Sequence, residues 1–142
     1  MSIWSRLKRD ARGTIAVEFA LIAPVLIFMT MGVADYGRAM TQRSQLDAAA
    51  RAGLQVLLRN FNDVTGARTA AQGMAAGAAV TATVVCVCPN GASISCTSGN
   101  CPTGVKKRTA TIAVTRSFAM LVPWPAFDDP MTLEATAVGR LR

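Results

Sequence analysis

Apolar positions are concentrated in one part of the chain. From Thr14 to Ala34 they are nearly continuous (TIAVEFALIAPVLIFMTMGVA), interrupted by one charge, Glu18, and one proline, Pro24. A bilayer core takes about 20 mostly apolar residues in a helix, and this run has that length. Beyond Ala34 the pattern becomes periodic. Leu46, Ala50, Gly53, Leu54, Leu57 and Phe61 define one face of an amphipathic helix, while Gln42, Arg43, Gln45, Arg51, Gln55 and Arg59 lie mainly elsewhere. One helix is therefore predicted from about residue 15 to about residue 60. Asn60 to Gly66 holds turn formers that should break it. The alanine-rich stretch Ala67 to Ala79, with Gly73 and Gly77, predicts a second, marginal helix.

Further on, the period shortens to two. Val80 to Val87 alternates threonine or alanine with valine and reads as a strand. Thr109 to Phe118 alternates likewise, with Ala110, Ile112, Val114 and Phe118 on one face. Met131 to Val138 is a third strand, with Met131, Leu133, Ala135 and Ala137 inward. Pro123, Pro125 and Pro130 confine residues 122–130 to a loop, where Trp124 and Phe127 are expected to cover the core, with an exposed partner-binding knob as the lesser alternative. The fold class is α+β: a long N-terminal helix whose second half packs on a small antiparallel sheet.

The chain has 142 residues, of which 51% are hydrophobic and 16% charged, and a net charge of +7 with no histidine. Placement of charge matters more than its sum. Arg6, Lys8, Arg9 and Arg12, opposed by Asp10, leave +3 ahead of the apolar run, and Asp35 follows it. By the positive-inside rule, residues 1–13 belong in the cytoplasm and residues from about 36 outside. A nucleic-acid binder would show a basic stripe interleaved with aromatics. The triplet Lys106-Lys107-Arg108 has no such partners and reads as a solvated turn or strand edge, with acidic lipid as the lesser alternative, so no nucleic acid is expected.

Three processing routes fit the N-terminus. The apolar run can be an uncleaved signal anchor. It can be a secretory signal, cut after Gly32-Val33-Ala34 to release a chain beginning at Asp35. Or it can be cut on its cytoplasmic side, after Gly13, and kept. Glu18 discriminates among them. A carboxylate within a membrane helix costs roughly 2.5–3.5 kcal/mol on translocon scales and marks a functional position by default. A cut after Gly13 frees an amine on Thr14 and makes Glu18 the fifth residue, one helical turn away. In a bundle of such helices that carboxylate can pair with a neighbour's amine and set axial register. A Glu18 that snorkels to the interface explains the residue equally well on physics alone.

These residues resemble a known family. Arg12-Gly13-Thr14-Ile15-Ala16-Val17-Glu18-Phe19-Ala20-Leu21, with Pro24, Gly32 and Gly37, looks like the start of the TadE-like pseudopilins, minor subunits of tight-adherence (Flp, type IVc) pili. Leu46-Asp47-Ala48-Ala49-Ala50-Arg51-Ala52-Gly53 is similar to the family's segment past the helix. The resemblance covers about the first 55 residues. It implies that 1–13 is a leader removed by a prepilin peptidase, with Gly13 and Thr14 flanking the cut and Phe19 helping to fix that site. It implies that Glu18 and Thr14 serve assembly and that 14–34 is a membrane or filament-core helix in which Pro24 weakens or kinks the backbone. Residues 35–142 would be a pilin-like extracytoplasmic domain, β-rich over 80–142. Implied partners are other pilin subunits, the peptidase and an inner-membrane assembly platform. The implied location is the bacterial inner membrane, single-pass with the domain in the periplasm or in the extracellular pilus, and the implied outcome is adhesion and biofilm formation. The contrasting hypothesis is a signal-anchored or secreted binding domain that never assembles.

Cys86, Cys88, Cys96 and Cys101 lie outside the membrane on this topology, and a domain of about 80 residues needs staples. An even count in an exported domain argues for two disulfides. Cys86–Cys88 is disfavoured because residues two apart on a strand would distort it. Two pairings remain, nested (Cys86–Cys101, Cys88–Cys96) and crossed (Cys86–Cys96, Cys88–Cys101). A hairpin-like return favours the nested one. Zinc is disfavoured by the absence of histidine and of paired C-x2-C knuckles. No Ser-His or Cys-His pair is possible without histidine, and no phosphate-cradling motif occurs. Asp128-Asp129 before Pro130 reads as a turn with too few ligands for calcium. The expectation is a non-enzymatic subunit without cofactor.

Overall fold

The computed structural model describes residues 11–123 and 125–141, with side chains from residue 15 onward. Helix α1 runs Ala11–Arg59 and α2 runs Val64–Met74. Four strands follow: β1 Ala79–Val87, β2 Ser93–Ile94, β3 Lys107–Phe118 and β4 Met131–Leu141. They form one antiparallel sheet in the order β2-β1-β3-β4. The chain divides into two units, residues 1–37 and 38–142.

In the first unit, the large apolar side chains from Ile15 to Val33 face outward, at 40–73% exposure. Pro24 is accommodated inside the helix. The Thr30 hydroxyl donates to the Ile27 carbonyl at 2.8 Å. Ala16 and Ala20 are exposed and Ala23 half-buried, so this small-residue stripe is open to close approach. Asp35 is buried at 5% exposure, the one buried charged side chain among the described residues.

The second unit is built on the remainder of α1. Leu46, Ala49, Ala50 and Leu57 are buried, and Leu54 and Phe61 are partly so. This is the face that the spacing predicts. Of the polar positions placed off that face, Gln42 is half-buried, and its Oε1 atom has no hydrogen-bond partner. The helix stops at a compact turn. The Asn60 side chain accepts from the Asn62 N–H at 3.1 Å, and Asp63 caps α2 by accepting from the Gly66 N–H at 2.8 Å. The cap starts α2 three residues before the expected Ala67, and the helix ends at Met74, so Ala75–Ala78 form the turn into β1. Gly77 takes a φ of +81° there. Ala67, Ala71 and Ala75, four apart, are buried toward α1 and the sheet. Gly53 allows this approach: a Cβ there would lie 2.9 Å from the Ala67 carbonyl oxygen.

On the sheet, Ala82, Cys86, Ala110, Ile112, Val114, Phe118, Leu133, Ala135 and Leu141 are buried. The opposite face carries Thr81, Thr83, Thr132 and Thr136 in solvent. Strand β4 extends to Leu141, three residues past the expected end, because Leu141 pairs with Arg108 and re-enters the core. Strand β2 is too short to show a period in the sequence. Nine of the sixteen side chains in the core cluster are alanines. Each buries little area, so the core gains little hydrophobic free energy for its size.

Phe127 does not cover the core as expected. It is 62% exposed. Prolines that hold the backbone in a loop do not turn the side chain inward. Trp124 lies outside the described residues. In the same loop Asp129 accepts a hydrogen bond from the Met120 N–H at 3.3 Å, which closes the turn ahead of β4.

Candidate functional site: an apolar helix with one carboxylate and a stapled loop

The residues singled out at the N-terminus all fall on α1. Gly13 and Thr14 lie within its range, and of the expected leader 1–13 residues 1–10 are outside the described residues. Glu18 and Pro24 are exposed, and Phe19 is 66% exposed. Ile15–Arg59 contains the one stretch among the described residues long and apolar enough to cross a membrane. Its most apolar window has a mean hydropathy of 2.1 and none of it is buried. Twenty residues from Ile15 span about 30 Å as a helix, the thickness of a hydrocarbon core.

Magnitude decides what such a surface needs. Twelve large apolar side chains between Ile15 and Val33 remain 40–73% exposed. Full burial of one is worth about 1.5–3 kcal/mol. Covering all twelve therefore offers on the order of 10–20 kcal/mol, more than the whole stability of many domains. A patch of this size calls for lipid or for other helices.

The cysteines form a second assembly. Cys86 is bonded to Cys96 and Cys88 to Cys101, with Cα–Cα distances of 5.2 and 5.6 Å. The pairing is crossed, and the nested pairing favoured from the sequence is corrected. The reason is register. In the β1–β2 hairpin Cys86 pairs with Ile94, and the Cys88 N–H donates to the Ala92 carbonyl at 2.9 Å. Cys96 follows two residues after Ile94, its sulfur 3.8 Å from the Val84 carbonyl and its Cα 5.2 Å from that of Cys86. Cys88 lies two strand residues closer to the hairpin turn. Cys86 is therefore the partner that Cys96 meets, leaving Cys101 to return to Cys88.

The basic triplet beside this loop is not uniformly solvated. Lys106 Nζ donates to the carbonyls of Cys96 and Gly99, each at 3.0 Å. Arg108 lies over the Phe61 ring, 4.3 Å from its centroid, with its Nε atom buried and unpaired. Lys107 alone extends freely. Together with Val105, Arg140 and Leu141, Lys106 and Lys107 line an open cleft at the end of the sheet. In the linear sequence its trace is the triplet, which reads there as a solvated turn or strand edge; Arg140 joins it only through the β3–β4 register. Among the described residues, no group of three or more His, Cys, Asp or Glu side chains is placed to hold a metal ion.

The class defined by these features is an α+β domain built on a long N-terminal helix, whose leading half is apolar and uncovered. Residues 13–55 match the family described as TadE-like protein. This bears out the resemblance over the matched segment and points to a protein associated with tight-adherence pili. No curated protein and no solved structure matches the chain.

Proposed function

We propose that this protein is a minor pseudopilin of a tight-adherence pilus system, cut after Gly13 by a prepilin peptidase and anchored in the inner membrane with residues from about 36 outside. The observation that carries the reading is a bare apolar helix bearing a single carboxylate, Glu18, within the segment that matches the TadE-like family. The scissile bond falls at the start of the described part of α1, ahead of the apolar run. Cleavage there leaves the apolar helix on the mature chain. The Thr14 amine and Glu18 of neighbouring copies or partner pilins then pair in a low-dielectric bundle, fixing axial register while lipid or filament core covers the remaining surface. Release at Ala34–Asp35 is disfavoured because it would discard Glu18 and about half of the segment that matches the family.

The test is the mass and N-terminal sequence of the mature protein from its native host, together with Glu18→Ala. A start at Thr14, and loss of Glu18→Ala from sheared pilus fractions while the domain stays folded and exported, are expected. A start at Asp35 overturns the reading in favour of a secreted domain. A start at Met1 or Ser2 replaces it with a simple signal anchor.

A further inference from the structure

The two ends of β4 carry opposite charge. Just before its first residue the exposed loop presents Phe127, Asp128 and Asp129, with Phe127 62% exposed. At its last residues lies the cleft of Val105, Lys106, Lys107, Arg140 and Leu141, with Val105 85% exposed. Met131 to Leu141 is ten strand steps, about 33 Å, so the two patches cannot meet within one chain. Nearby countercharges are already used. Arg116 donates to the Ala76 carbonyl, Arg38 stacks on Phe118, and Asp63 is turned to the Gly66 N–H. Among the described residues Lys107 and Arg140 have no acidic partner, and Asp128 has no basic one.

We propose that the basic cleft of one copy receives the Phe127-Asp128-Asp129 loop of a second copy. Phe127 packs on Val105, and Asp128 lies between Lys107 and Arg140. The match is in charge and in kind, since each patch pairs an exposed apolar side chain with ions of one sign. Because the two patches differ, the contact joins copies head-to-tail or, made reciprocally, in an antiparallel pair. The contact is read from the domain alone and does not require Thr14–Glu18 pairing; it extends the assembly reading to the domains.

The experiment places a photoreactive phenylalanine analogue at Phe127 of the full chain, expressed in membranes and irradiated at physiological salt. Mass spectrometry then locates the adduct. The expected product is an intermolecular adduct to the peptide holding Val105–Lys107 or to Arg140. Lys107→Glu with Arg140→Glu should lower its yield about tenfold or more, since like charges at a contact repel. Adding Asp128→Lys to that pair should recover most of it. Asp128→Lys alone should lower it comparably, which keeps the test informative if the double reversal fails to fold. An adduct within the same chain, to a different protein or to lipid, a yield indifferent to both reversals, or no adduct at all overturns the proposal. Mature N-terminal mass, measured on the same samples, reports the pseudopilin reading separately.

Discussion

Gly53 lies where both helices and the sheet come close together. A Cβ added there would meet the Ala67 carbonyl oxygen at 2.9 Å, Ala71 Cβ at 3.2 Å and Ile112 Cγ2 at 3.4 Å. In an open helix interior Gly→Ala gains about 1 kcal/mol from backbone entropy and propensity. Here the nearest neighbour is backbone of α2, which must move as a whole. Overpacking of this kind costs about 1–3 kcal/mol, so Gly53→Ala should be net destabilising by about 1 kcal/mol. Gly73 is the internal control. It lies on α2 with nothing within 4 Å of its would-be Cβ, so Gly73→Ala should express propensity alone. Near a helix end that gain is about 0.5 kcal/mol. Native-state amide exchange of the full chain in mild detergent reads both, using the peptide from Lys107 to Phe118, which contains Ile112. Protection should fall roughly fivefold for Gly53→Ala and rise about twofold for Gly73→Ala. If Gly53→Ala raises protection as Gly73→Ala does, then α1 and α2 are not in the close contact argued here, and steric reasoning fails at this site.

Three further outcomes follow from the stapled loop. Cys86→Ser with Cys96→Ser should leave no alkylatable thiol, because Cys88 and Cys101 remain bonded, whereas Cys88→Ser with Cys96→Ser should leave Cys86 and Cys101 both reactive. Loss of either bridge should cost about 3 kcal/mol by loop-closure entropy at sequence separations of 10 and 13, seen as a lower denaturation midpoint. Lys106→Met removes two charged hydrogen bonds to the Cys96 and Gly99 carbonyls. At about 1–2 kcal/mol for a partly exposed ammonium, amide exchange of residues 95–101 should accelerate roughly tenfold while the global midpoint moves little.

Much of this architecture is written in local pattern. The apolar run from Ile15, the core face Leu46-Ala50-Leu57 and the alternation Ala110-Ile112-Val114 each repeat with the period of the element they build. Elements defined by one residue's capping, or by a partner strand, were less legible. The early start of α2 depends on the Asp63 side chain reaching Gly66, and β2 is two residues long and exists by pairing with β1. Phe127 shows the limit from the other side: hydrophobic character signals burial only where backbone geometry permits it.

The sequence by itself determined which part of the chain is too apolar for water, where the single carboxylate of that part lies, and that the four cysteines would be bonded in pairs. These follow from composition and spacing along one dimension. Tertiary structure decided the partners. The crossed disulfides come from a hairpin that brings the Cys96 Cα to 5.2 Å from that of Cys86. The basic cleft exists because β3 and β4 bring Lys107 and Arg140 together across 32 intervening residues. Contacts of that range are fixed by sheet register and helix packing, which no local period encodes.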